Sequence, residues 1–294
     1  VAPESSTSPA WNSELKDGLI GQPTDPNLLA SWWTTLDDPQ LSGLIERAVA
    51  GNLDLKNTQA RVRQARAARG VAKAGLLPTV SLNGSDTWSH SRGEMGMGET
   101  TELHSAGFDA GWELDLFGGT RRSIEAADAD LQASREDLND TLVTLLSEVA
   151  LNYVEVRIYQ AQLAATQTSL EAQEQTYQLT SWQSQAGLSD ELAVHQARYN
   201  LESTRSQIPS LRSGLDEAMN RIAVLLGEQP GSLHKELAAP GSVPVCAKEV
   251  AVGVPADALR QRPDVRRAER ELAAQTARVG VATADLYPRF SLTG

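Results

Sequence analysis

"TRRSIEAADADLQASREDLNDTLVTLLSEVALNYVEVRIYQAQLAATQTSLEAQEQTYQLTSWQSQA", residues 120 to 186, contains neither glycine nor proline. These are the residues that punctuate helices, so nothing in the stretch stops one. Apolar side chains recur at heptad spacing through Leu138, Leu142, Leu145, Val149, Val156, Tyr159, Leu163, Leu170 and Tyr177. At the standard rise the stretch predicts one helix roughly 100 Å long. Gly187 interrupts the run, and a second heptad series returns through Val194, Ala197, Leu201, Ile208, Leu211, Leu215, Ala218, Ile222 and Leu225. A short turn between two such helices makes an antiparallel hairpin. Pro209 and Gly214 predict a bend partway along the return. In "AGLSDE", 186 to 191, Ser189 is placed to cap the second helix, with two acids in its first turn.

Just upstream, "SAGFDAGWELDLF" (105 to 117) alternates with period two. Ala106, Phe108, Ala110, Trp112, Leu114 and Leu116 fall on one face, and Ser105, Gly107, Asp109, Gly111, Glu113 and Asp115 on the other. A tilted strand needs about 9–11 residues to cross a bilayer, so this one is long enough for a membrane β-barrel wall. In that reading Phe108, Trp112, Leu114 and Leu116 face lipid, while Asp109, Glu113 and Asp115 face a wet lumen. Half of a soluble sandwich would show the same alternation. The three carboxylates resemble an acid pair, but catalysis wants one buried and shifted, whereas a wet lumen leaves all of them ionised.

The chain also repeats itself. "GVAKAGLLPTVSLNG" (70 to 84) returns as "GVATADLYPRFSLTG" (280 to 294), agreeing at nine of fifteen positions at an offset of 210 residues. In each copy a helix runs into a proline, Pro78 or Pro288, which ends the helix and starts a strand. The second copy begins a strand at the end of the sequence, so the chain reads as the front portion of a longer two-repeat protein. Its organisation follows. Residues 1–39, rich in Pro, Ser, Asp and Trp, form an extended arm. Segments 40–77 and 120–226 are helical, the first with a stripe of Leu41, Leu44, Ile45, Ala48 and Val49 and a break near Gly51-Asn52. Residues 78–117 are a β-hairpin, 227–260 a Pro/Gly-broken connection, 261–287 the first helix of the second repeat, and 288–294 the start of its strand. The fold class is mainly α with a small β part.

Composition narrows the function. A net charge of −12 and a pI near 4.9 argue against a nucleic-acid partner, which needs clustered Lys and Arg. "RVRQARAAR", Arg61 to Arg69, reads as a solvated helix face. Cys246 is the only cysteine, which excludes an intrachain disulfide and a cysteine-rich zinc site. No stretch approaches a membrane-spanning helix, so a membrane role must come from strands. The start at Val1 reads as processed or trimmed. There is no HExxH, G-x-S-x-G or phosphate loop. His90, His104, His195 and His234 are scattered and read as solvated or packed side chains. No catalytic residue, cofactor or metal is expected.

"WWTTLDDPQLSGLIERAVAGNLDLKNTQARVRQARAARGVAKAGLLPTVSL", "WELDLFGGTRRSIEAADADLQASREDLNDTLVTLLSEVALNYVEVR", "GLSDELAVHQAR" and "LRQRPDVRRAERELAAQTARVGVATADLYPRFSL" together resemble the TolC family of bacterial outer-membrane channels, in its OprM/NodT-like lipoprotein branch. The resemblance implies a homotrimer that closes one shared β-barrel in outer-membrane lipid and a periplasmic α-helical tunnel. It implies a passive exit duct for small molecules, fed by an inner-membrane pump of the resistance-nodulation-division type through a periplasmic adaptor (membrane fusion) protein. The adaptor-docking hairpin tip corresponds to Gln185, Ala186, Gly187, Leu188 and Ser189. Lipid anchoring at a cysteine preceding this sequence is also implied, with most of the chain in the periplasm. The outer-membrane component of type I protein secretion and a soluble periplasmic coiled-coil scaffold stand as the alternatives.

Overall fold

The structure is a computed structural model that describes residues 19–20, 31–92, 98–245, 250–251 and 255–294. In chain order its elements are β1 (Leu19–Ile20), a 3-10 turn (Trp32–Leu36), α1 (Pro39–Gly51), α2 (Leu53–Ala74), β2 (Thr79–Arg92) and β3 (Gly98–Leu114). Then come α3 (Gly119–Gln185), α4 (Glu191–Leu225), β4 (Val250–Ala251), α5 (Pro255–Gln261), α6 (Pro263–Ala284) and β5 (Phe290–Thr293). The chain divides into two compact units, Val1–Asn57 with Asn139–Arg262, and Thr58–Leu138 with Pro263–Gly294. The expected fold class holds, and α3 is a single helix of 67 residues.

In the first unit, α3 and α4 run antiparallel. Arg205 bonds Glu174 at 2.9 Å, Gly214 faces the Tyr159 ring, and Arg221 bonds Glu155, so one index falls as the other rises. The apolar core lies where α1 joins this pair. Leu41, Leu44, Ile45 and Ala48 of α1 are buried together with Leu145, Val149, Tyr153 and Val156 of α3 and Ala218, Ile222 and Ala223 of α4. The i, i+3, i+4 spacing of the α1 residues puts all four on one stripe. Asp38 caps α1, accepting from the amides of Gln40 and Leu41 at 2.9 and 3.1 Å. Asn52 forms the break between α1 and α2. Its Oδ1 accepts from the Leu55 amide at 2.8 Å and its Nδ2 donates to the Leu225 carbonyl at 2.9 Å.

Both helix ends that turn at glycine use the same device. The Leu188 amide reaches back to the Gln183 carbonyl and the Gly187 amide to Ser184, with Gly187 at φ 74°. Glu228 reaches Ala223 and Gly227 reaches Val224, with Gly227 at φ 75°. This is the Schellman closure, and it requires a left-handed residue that glycine supplies without steric cost.

The second unit has little bulky apolar matter. Ala126, Ala129 and Ala133 of α3 and Ala274 and Ala277 of α6 are buried, and such small side chains let helices approach closely. Ion pairs tie α3 to a helix from each repeat: Asp128 to Arg69 of α2, Asp130 to Arg278 of α6 at 2.6 Å, and Asp137 to Arg267 at 2.6 Å. The two copies of the duplicated motif end alike. Leu76 and Leu77 bond back to Lys73 and Ala74, and Leu286 and Tyr287 to Thr283 and Ala284. The strands that follow, β2 and β5, flank β3 in the order β2-β3-β5, both antiparallel to it.

Several expectations are corrected. Asp115 and Leu116 lie beyond the end of β3, because the aspartate is drawn off as the cap of α3, accepting from the amides of Thr120 and Arg121 at 3.0 Å each. The cap of α4 is Asp190, not Ser189, since the helix starts one residue later and the Asp190 carboxylate accepts from the Ala193 amide at 2.9 Å. α4 is one helix with Pro209 inside it, which is compatible with the expected bend. Gly214 serves there as room for the Tyr159 ring, which an added Cβ would meet at 2.5 Å. The helix of the second repeat starts at Pro263 rather than 261. Of the expected arm, Leu19–Ile20 pair in parallel with Val250–Ala251 of the connection, and residues 1–18 and 21–30 lie outside the described residues. Cys246 lies outside them too.

Candidate functional site

The β2–β3 ladder runs from Thr79↔Gly111 to Arg92↔Gly98 without a slip. That register puts Val80, Leu82 and Trp88 on the face that carries Phe108, Trp112 and Leu114, and β5 adds Phe290 opposite Leu114 and Leu292 opposite Trp112. Asp109 and Glu113 share the opposite face with Ser81, Asn83 and Ser291. Asn83 donates to the Asp109 carboxylate, and the Ser85 and Ser105 hydroxyls bond at 2.7 Å. Both faces are bare: Phe108 is 76% exposed and Asp109 is exposed as well. A hairpin with one greasy face and one polar face, neither covered, is not a stable object in water.

At the base of these strands the two repeats meet through an aromatic stack. Phe117 stacks on Tyr287 with centroids 4.7 Å apart and planes 13° from parallel. Trp112 Nε1 donates to the Leu76 carbonyl at 3.1 Å. Pro78 immediately precedes β2, and Pro288 stands two residues before β5, as the breaks require.

The other candidate is the turn between α3 and α4. Gln185 is the last residue of α3, and Ala186, Gly187, Leu188 and Ser189 form the turn. Leu188 is 79% exposed, with Trp182 and Leu192 exposed near it. A folded tip held by the Schellman closure and the Asp190 cap, yet offering bare apolar side chains, suits contact with another protein.

Sequence reasoning missed two clusters. Around Arg157, Tyr153, Gln160, Gln40 and Asp38 form a buried hydrogen-bonded network. On the β-hairpin, His104 stands between two carboxylates, Nδ1 at 3.1 Å from Asp86 and Nε2 at 3.4 Å from Glu102. Between α3 and α4 a groove of about 890 Å³ is lined by Glu148, Glu155, Glu217 and Arg221 over Leu151 and Val224. Arg221 bonds Glu217 at 2.7 Å and also Glu155.

A long antiparallel helix pair together with a strand hairpin greasy on one exposed face defines a class: proteins whose chains supply sectors of a membrane-embedded wall. The family is shown directly. The model of the outer membrane efflux protein family matches residues 44–228, and the chain belongs to that family. It is 36% identical over 283 residues to nodulation protein T of Rhizobium leguminosarum bv. trifolii, covering 96% of this chain and 60% of the relative. It is 33% identical over 285 residues to the cation efflux system protein CusC of Escherichia coli K12, covering 97% of this chain and 61% of the relative. The solved outer-membrane channel OprN superposes with a TM-score of 0.81 at 37% identity, over 98% of this chain and 62% of that one. The chain thus spans about three-fifths of the length of the relatives it matches.

Proposed function

We propose that this chain is part of the outer-membrane subunit of a tripartite efflux system, a passive duct and not an enzyme. The observation that carries the reading is the bare β-hairpin. Lipid covers the face of Leu82, Phe108 and Trp112, and a water-filled lumen takes the face of Asp109 and Glu113. Three copies close the wall, which removes the open strand edges. The Phe117–Tyr287 stack and the Trp112 indole then sit at the periplasmic edge of the outer membrane, where such rings concentrate. Small solutes pass down the duct, cations modestly favoured by the lumen carboxylates. The driving energy comes from an inner-membrane pump, and a periplasmic adaptor docks at the turn Gln185 to Ser189.

The tip is tested with Leu188→Glu in the full-length protein. The side chain is exposed, so folding and outer-membrane insertion are expected to match wild type, while export falls about tenfold or more, a loss of about 1.4 kcal/mol in docking. Unchanged export would place the docking surface elsewhere. Recovery of the wild-type protein from the soluble periplasmic fraction would remove the wall itself.

A further inference from the structure

Towards the Arg92–Gly98 end of the β2–β3 hairpin, three metal-ligating side chains converge. The register sets Asp86 directly opposite His104, and Glu102 precedes His104 by two residues, so all three leave one face. One donor atom from each lies within 4.8 Å of the other two. We propose that Asp86, Glu102 and His104 form a surface site for a divalent transition cation of the zinc class.

The donor set selects the ion. One imidazole nitrogen with two carboxylate oxygens suits borderline metals, whereas calcium and magnesium take oxygen alone. Spacing agrees with it. Bonds of about 2.0–2.2 Å at tetrahedral angles set neighbouring donors roughly 3.4 Å apart. Asp86 lies 3.1 Å from Nδ1 and Glu102 3.4 Å from Nε2, so an ion takes one of the two nitrogens and the other carboxylate turns towards it. The starting set already has one donor of each residue within 4.8 Å of the others. Charge points the same way. Among the described residues neither Asp86 nor Glu102 is paired with a lysine or arginine, so the two anions have only His104 between them. An uninterrupted strand ladder holds the three donors, a more exact support than a loop gives. His90, two pairs further along, is engaged by the Thr100 hydroxyl at 2.9 Å and stands outside the site. The three side chains share the face of Leu82 and Phe108 but stand nearer the hairpin turn, beyond the residues assigned to lipid. They are about half exposed or more, which leaves the remaining coordination positions to water. The proposal rests on the strand register alone and stands or falls separately from the duct.

The test is calorimetric titration of ZnCl2 into the full-length protein, purified in detergent, freed of any histidine tag and stripped with chelator. A micromolar site at one ion per chain is expected. His104→Ala and the double variant Asp86→Asn/Glu102→Gln should each weaken it tenfold or more, His90→Ala should leave it unchanged, and excess magnesium should not compete. Circular dichroism of each variant verifies the fold. Binding equal in wild type and His104→Ala, or none in wild type, would overturn the site and leave a histidine that only hydrogen-bonds between two carboxylates.

Discussion

Alanine at Gly51 is expected to destabilise the first unit by about 3 kcal/mol or more. An added Cβ would lie 2.1 Å from the Leu226 carbonyl oxygen and 3.2 Å from its carbon. These are backbone atoms, so no rotamer change relieves the clash. The crossing is tight from both sides, since a Cβ on Gly227 would come within 2.6 Å of the Gly51 oxygen at a residue already held at φ 75°. Asn52 locks the same junction by donating to the Leu225 carbonyl, so the end of α1 and the end of α4 cannot slide apart without loss of a part-buried hydrogen bond. Thermal unfolding followed by circular dichroism checks this, with a midpoint lowered by roughly 6–12 °C. Gly43→Ala is the control. It sits inside α1 with nothing within 4 Å of an added Cβ, and should stabilise by about 0.5–1 kcal/mol. A Gly51→Ala midpoint equal to wild type would mean that the two backbones do not meet.

Much of this architecture is readable in the chain because single residue types decide it. The absence of Gly and Pro between Thr120 and Ala186 is sufficient for α3, and Gly187 marks its end because only a left-handed residue closes that turn. The duplicated motif marks two helix ends closed by the same last-turn bonds, each followed by a proline, Pro78 or Pro288, and a strand. Alternation identified the faces of β3, yet not its end. Asp115 continues the pattern in sequence but is taken by the amides of α3, a tertiary demand that overrides period two. Ser189 and Asp190 are comparable caps, so only the observed geometry separates them. The Asp86, Glu102 and His104 cluster was beyond sequence reading for another reason. "SRGEMGMGETTE" contains no two-residue turn that fixes a register, and without a register no residue of β2 has an assigned partner on β3. Arg157 lies 82 residues from the Ala239 carbonyl it holds and 117 from Gln40, and no local pattern announces contacts at that separation.

Those long-range contacts make Arg157→Ala the second large loss, about 2–4 kcal/mol, because several of its hydrogen-bond partners are left unmatched at once. Arg157 is 4% exposed, and among the described residues its hydrogen bonds go to neutral groups. Its charge is relayed instead. Nη2 donates to the Tyr153 hydroxyl at 3.0 Å, that hydroxyl donates to Asp38 at 2.7 Å, and Asp38 holds the first amides of α1. Nη1 donates to the Ala239 carbonyl at 2.9 Å, Gln160 holds the Leu237 carbonyl at 2.6 Å, and the Gly241 backbone presses so close that a Cβ would meet the guanidinium carbon at 2.7 Å. Truncation therefore strands a part-buried carbonyl and two side chains together. Arg157→Lys should recover only part of the loss, because an ammonium cannot span Gln40, Tyr153 and Ala239 as a planar fork does. The Tyr153 phenol reports on the same network. Burial, then its bond to Asp38, pushes it from 10.0 up to about 12 against the opposing pull of Arg157. The folded value is the higher one, so this contribution to stability is complete below pH 10 and is lost between pH 10 and about 12. The difference in phenolate absorbance between wild type and Tyr153→Phe should show ionisation near the upper end of that range. In Arg157→Ala, assayed where it remains folded, the midpoint should rise further because the downward pull is gone. A Tyr153 midpoint at 10, or an Arg157→Ala variant within 1 kcal/mol of wild type, would mean that residues 237–241 stay on α3 without the guanidinium.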